Sequence, residues 1–220
     1  MTVVIAASLA LAGCSGDRDE RRPPARPRNS APITLTAPPT KETKACFADL
    51  AEQDVRYNPL PDRDYGGGCV VRGAVQLIDY GVPTNNLKAM ACPLARNFVA
   101  WVRNGVVPAA REMLGSDLVR IDSFGTYACR SIVGGGAASA LRLSEHSYAN
   151  AVDIAAFVLK DGRRITIERD WRSEDADVRE FLRVIQRSAC KRFVTVLSPE
   201  YNAAHYNHLH IDMGGKPLCR

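Results

Sequence analysis

All four histidines of this 220-residue chain, His146, His205, His208 and His210, fall in two short segments, SEHSYANAVD (144–153) and HYNHLHID (205–212). A lone histidine says little, since it is usually a surface or satisfied core residue. Four gathered in two places, with Asp153 seven positions beyond the first, point to a metal site. Such a site requires a fold that brings 144–153 and 205–212 together. In HLHID, Leu209 and Ile211 alternate with His208 and His210, the period of a β-strand, so both imidazoles are expected on one face.

The residue types narrow the chemistry. A hydrolytic zinc ion takes imidazole nitrogen, and in some sites one carboxylate, from three protein ligands and keeps a fourth position for water. His146 and Asp153 can supply two ligands and one His of the second segment the third, leaving its neighbour to act on the bound water. The spacing is not that of the helical H-E-x-x-H proteases, a motif absent from this sequence.

The seven cysteines divide into Cys14 and six others, Cys46, Cys69, Cys92, Cys129, Cys190 and Cys219. An even set behind an export segment reads as three disulfides, for which sequence allows fifteen connectivities. A sequential pairing, Cys46 with Cys69, Cys92 with Cys129 and Cys190 with Cys219, closes moderate loops and pins both ends of the domain. Zinc-ribbon use is disfavoured because no C-x-x-C occurs. The export segment is residues 1–14, MTVVIAASLALAGC, an apolar run too short to span a bilayer and suited to a signal h-region. LAGC (11–14) is similar to the lipobox of bacterial lipoproteins, which implies cleavage before Cys14 and lipid on its sulfur. Ser15 after that cysteine implies, by the same resemblance, a lipoprotein of the cell envelope held at the outer membrane and facing the periplasm.

Residues 15–45 are rich in Pro, Arg and Ser/Thr and are expected to be an extended, disordered tether. They carry seven Lys/Arg against four acids, +3 of the net +5, so residues 46–220 keep only +2. A nearly neutral domain on a basic tether is a poor nucleic-acid binder.

Within 46–220 the apolar spacing predicts a helix after Pro93 through Leu94, Phe98, Trp101 and Val102, interrupted at Pro108 and resuming over 109–114. Strands are expected at 118–125 and 127–132, and a hairpin at 152–159 and 163–171 about Asp161-Gly162. Val178, Phe181, Leu182, Ile185 and Ala189 make the stripe of another helix, capped by Ser173 or a neighbour, and 193–198 and 208–213 complete the strands. The fold class is therefore α+β, an antiparallel sheet with helices packed on one side and the metal on the open face. Other chemistries are disfavoured. The GGG runs at 66–68 and 134–136 precede no Lys-Ser/Thr pair, and no G-x-S-x-G occurs. Cys129 and Cys190 as nucleophiles conflict with their oxidation, and Glu174, Asp175 and Asp177 suit a helix start. Asp212 is a candidate to orient a ligand histidine.

SEHSYANAVD resembles the Ser-x-His-x-x-Gly-x-Ala-x-Asp signature of zinc D-alanyl-D-alanine peptidases and murein endopeptidases, and HYNHLH resembles their closing His-x-His. Ala149 stands where the signature has Gly. More closely, the chain from about Cys46 resembles the bacterial extensin-like C-terminal domain through YACR (127–130), SEHSYANAVDIAAF, DGRRITIERDW (161–171), FVTVLSPEYN (193–202) and the final LCR. The resemblance implies a Hedgehog/DD-peptidase-like fold with a zinc ion on His146, Asp153 and His210. It further implies Arg130 against the developing oxyanion and His208 as general base. His205 is then expected to polarise substrate or product, with Glu145 the runner-up base, aimed away from the metal by its place beside His146. The expected function is a monomeric zinc metallopeptidase, a DD- or LD-type carboxypeptidase or endopeptidase acting on peptidoglycan peptides. The alternative is a non-catalytic zinc-stabilised wall-binding module.

Overall fold

The computed structural model describes residues 31–220, so the signal 1–14, the lipidation site Cys14 and residues 15–30 of the tether lie outside the described residues. The rest of the tether is shorter than expected. A strand, β1 (Ile33–Thr34), and a helix, α1 (Lys41–Glu52), already fall before residue 46. The helix starts there because Thr40 caps it, accepting from Thr43 N–H, and because Cys46 and Leu50 bury one face.

Next come β2 (Arg56–Pro59), β3 (Arg63–Asp64), β4 (Val70–Val71), β5 (Ala74–Asp79) and β6 (Met90–Ala91). They build two small antiparallel sheets, ordered β1-β3-β4 and β2-β5-β6, that the sequence pattern did not announce. The expected helix follows as α2 (Cys92–Trp101), but Pro108 does not interrupt it. A π-helical turn (Val102–Val106) leads straight into α3 (Val107–Leu114). Val107 N–H bonds back to Val102, which shifts the ladder so that Pro108, lacking an N–H, falls in the first turn of α3.

Strand β7 (Leu118–Gly125) is as expected, whereas 127–130 is irregular and only Ser131 bridges Leu143. After α4 (Gly136–Ala140) and a 3₁₀ turn (Glu145–Tyr148) comes the hairpin of β8 (Ala151–Leu159) and β9 (Arg164–Thr166). Its second arm stops early. Thr166 caps α5 (Ile167–Asp170), accepting from Arg169 N–H while Asp170 Oδ2 accepts from Thr166 N–H. Helix α6 (Ala176–Cys190) buries all five stripe residues and is capped by Asp175. The chain ends in β10 (Thr195–Leu197), β11 (Leu209–Asp212) and β12 (Leu218–Cys219).

The main sheet runs β12-β10-β11-β8-β7, with β9 also on β8, and is antiparallel except that β12 lies parallel to β10. Phe157 of β8 meets Trp101 of α2 and Phe181 of α6 edge-on, and the Trp101 indole N–H donates to Ile185 O at 3.0 Å. Asp122 pairs with Ala156 but Ser123 with Ile154, so Ala155 is an extra residue in β8. That bulge switches faces: Val152 and Ile154 share the core with Phe157 and Leu159, which frees Asp153 for the face away from the helices. The pattern is thus α+β, as expected. Among the described residues no helix is long and apolar enough to cross a membrane.

The disulfides are Cys46–Cys92, Cys69–Cys129 and Cys190–Cys219. Only the last follows the sequential pairing. Helix α1 packs on α2 and sets Cys46 beside Cys92, which leaves Cys69, after the 66–68 glycine turn, to reach Cys129.

Candidate metal centre

Strand pairing places two of the candidate ligands. Asp153 of β8 stands opposite His210 of β11, and their Oδ1 and Nδ1 atoms are 2.9 Å apart. His146 comes from the 3₁₀ turn, where Ser144 accepts from the His146 N–H and Ala149 ends the turn in the left-handed region at φ 53°. Its Nε2 lies 3.1 Å from Asp153 Oδ2 and 3.3 Å from His210 Nδ1. All three side chains are buried, and their ligand atoms lie within 4.8 Å of one another, so they form a possible metal-binding triad.

The far side of each imidazole is also held. His146 Nδ1–H donates to Thr126 O (3.3 Å), and His210 Nε2–H donates to Asp212 Oδ2 (2.9 Å), which turns the other ring nitrogen of each toward the centre. Burial opposes a charge on Asp153, but hydrogen bonds from His146 and His210 prevail and hold its carboxyl well below the usual range. Burial likewise opposes protonation of His210, yet its bonds to Asp153 and Asp212 raise its pKa to about 9. The centre therefore draws positive charge, and two imidazoles with one carboxylate match the donors of a hydrolytic zinc ion.

The other expected residues gather around this triad. His208 Nε2 is 3.5 Å from Asp153 Oδ1, while its Nδ1–H donates to Asn207 Oδ1 (2.9 Å) and Phe124 packs edge-on against the ring. Burial pushes its pKa down and outweighs the nearby Asp153. His205, lowered to about 4 by burial and by the charges of His208 and His210, donates from Nδ1 to Asn202 Oδ1 at 2.7 Å. Arg130 is half-buried, and its charge also disfavours protonation of both histidines. Arg130, His205, His208 and His210 line one cleft of about 350 Å³. Glu145 sits at its rim, its carboxylate accepting from Asn150 Nδ2 at 2.8 Å.

Three supporting residues escaped sequence reasoning. Fully buried Ser147 accepts from Arg130 N–H (3.1 Å), and its hydroxyl lies 3.0 Å from Arg130 O and 3.2 Å from Ala128 O, so it ties the irregular 127–130 stretch to the 3₁₀ turn. Thr126 acts through its carbonyl and Asn202 through its side chain. Ser147 carried a signal in its place inside 144–153, and Asn202 in closing the stretch 193–202, whereas Thr126 carried none.

Among known proteins, the model of the family described as Extensin-like protein C-terminus matches residues 44–220. No curated protein and no solved structure matches the chain.

Proposed function

Given that this chain belongs to the Extensin-like protein C-terminus family, we propose that it is a zinc-dependent peptidase acting on the stem peptides or cross-links of peptidoglycan. One observation carries the reading: three buried ligand atoms converge, one of them on His210 in the wall of a cleft, with His208 Nε2 3.5 Å from the shared carboxylate. The likeness of 144–153 and 205–210 to the zinc D-alanyl-D-alanine peptidase signature supports it. So does a setting outside the cytosol, where three disulfides persist and where Cys14 would anchor the chain to the envelope.

His146 Nε2, His210 Nδ1 and an Asp153 oxygen would hold the ion. When bound, zinc supplies Lewis acidity that brings the pKa of a water to about 7. His208, kept neutral by burial and with its Nδ1–H committed to Asn207, offers Nε2 to the proton of the attacking water and returns it to the leaving amine. Arg130 holds negative charge as it develops on the scissile carbonyl oxygen. His205, neutral and fixed by Asn202, polarises substrate or product.

Purified sacculi incubated with zinc-loaded protein test the reading. Wild type should release new peptides, whereas His208→Ala should keep one equivalent of zinc and release none. His146→Ala should lose the equivalent; if it retains it in full, His146 leaves the ligand set. Should both wild type and His208→Ala co-sediment with sacculi and free nothing, the protein is a wall-binding module and the peptidase reading fails.

A further inference from the structure

Resting on the peptidase reading, we infer that the cleft beside the triad seats a carboxylate of the peptide substrate on Arg142 and Lys216. Three cations line this cleft, Arg130, Arg142 and Lys216, and among the described residues none of them is in an ion pair. Among the other described arginines eight have a carboxylate partner and eight do not, so what sets these cations apart is that three of them line one concave site. Cations left without partners in one concave site are matched to an anion that arrives with the ligand.

The two acids that share the lining do not supply that anion. Asp212 is engaged by His210 Nε2–H and by Gly214 N–H, both at 2.9 Å. Glu145 accepts from Asn150 and stands where this cleft adjoins a second one lined by Arg72 and Tyr148.

Arg142 and Lys216 come from two separate segments, each fixed by its backbone. Arg142 N–H donates to Ser139 O and Arg142 O accepts from Ile132 N–H, both at 3.0 Å, beside the Ser131–Leu143 bridge. The turn carrying Lys216 is held by Thr195 Oγ1, 3.3 Å from Gly214 O and 3.4 Å from Lys216 O. Arg130, whose charge reaches His205 and His208, serves the reacting carbonyl. That leaves the other two for a group further along the chain. Guanidinium and ammonium presented together suit a carboxylate, either at the peptide terminus or on a side chain.

The test is calorimetry on zinc-loaded His208→Ala, so that peptide is not consumed. The probes are acetyl-Lys-D-Ala-D-Ala as the terminal acid, the same peptide as the terminal amide, and an amide-terminated analogue with Glu in place of Lys. At least one carboxylate-bearing probe should bind about tenfold more tightly than the terminal amide of the Lys peptide, which carries no carboxylate, and which one identifies the carboxylate recognised. Adding Arg142→Gln and Lys216→Gln should erase that preference with zinc stoichiometry unchanged. Equal affinity for all three probes, or a preference that survives the double substitution, overturns the inference. If the preference appears and is erased but wild type cuts neither the probes nor sacculi, the carboxylate site stands and the peptidase reading falls.

Discussion

At His210 two carboxylates face one ring. Asp153 Oδ1 lies 2.9 Å from Nδ1 and Asp212 Oδ2 lies 2.9 Å from Nε2. An imidazolium donates to both, whereas a neutral imidazole donates to one and turns a lone pair on the other. Burial alone would favour the neutral ring, yet the two bonds raise the pKa from 6.5 to about 9. A raised folded-state pKa contributes stability that is complete below the unfolded value and lost as pH climbs through the folded one. Metal-free protein should therefore lose stability between pH 6.5 and about 9, by on the order of 3 kcal/mol. A divalent cation bound by the triad replaces that proton, so zinc-loaded protein should show no such decline. Urea unfolding in chelator and in zinc across this range measures the difference, and a flat profile in chelator would sink the assignment of His210 as the protonated partner of both acids.

Among the elements, the 3₁₀ turn that delivers His146 carries a visible cost at its end. Ala149 is left-handed, the conformation glycine adopts freely, and it stands where the resembled signature has Gly. An L-residue there loses roughly 1–2 kcal/mol. Against that, the Ala149 methyl is fully buried beside Val71 and Ala74, worth about 0.8 kcal/mol, and alanine restrains the unfolded chain by about 0.5–1 kcal/mol relative to glycine. The two sides nearly cancel, which is why alanine is tolerated. Ala149→Gly should shift stability by no more than about 1 kcal/mol in urea unfolding, while Ala149→Val, β-branched at positive φ, should weaken both folding and zinc binding as His146 is displaced. A valine variant with unchanged zinc affinity would show that the turn does not set the ligand. Position 149 was legible as a departure; its backbone was not. Much else was legible: β7 and the α6 stripe because alternation or 3.6-residue spacing records which face is buried, and the β8–β9 hairpin because Asp161-Gly162 marks its turn. The triad was readable because imidazole and carboxylate are rare donors in a telling arrangement. The bulge at Ala155 was hidden, since every side chain from 151 to 157 is buried and the apolar run that follows Asp153, residues 154–159, has no phase. The sheets β1-β3-β4 and β2-β5-β6 were hidden because most of their strands are only two residues long, too short for any period to register.

Across the whole molecule, the cysteine pairing depends on which elements pack, and that pairing separates stability from site geometry. Cys46–Cys92 joins α1 to the start of α2 within the helical core, whereas Cys69–Cys129 fastens the stretch that carries Thr126 and Arg130. The sequence separations are 46 and 60 residues, so loop-closure entropy assigns each bond about 4 kcal/mol and distinguishes them by only about 0.2 kcal/mol. Stability alone therefore cannot tell the two apart, but the metal can. Thr126 O accepts the His146 Nδ1–H, and losing such an outer hydrogen bond to a ligand histidine typically weakens metal affinity about 10–100-fold. Replacing Cys69 and Cys129 together by Ala should cost about 4 kcal/mol in urea unfolding and weaken zinc binding about tenfold in chelator competition. The Cys46 and Cys92 double replacement should cost about as much stability and leave zinc affinity within about twofold. Equal losses of zinc affinity in the two variants would mean that the centre responds to global loosening of the fold, and that the disulfide beside Arg130 has no particular hold on it.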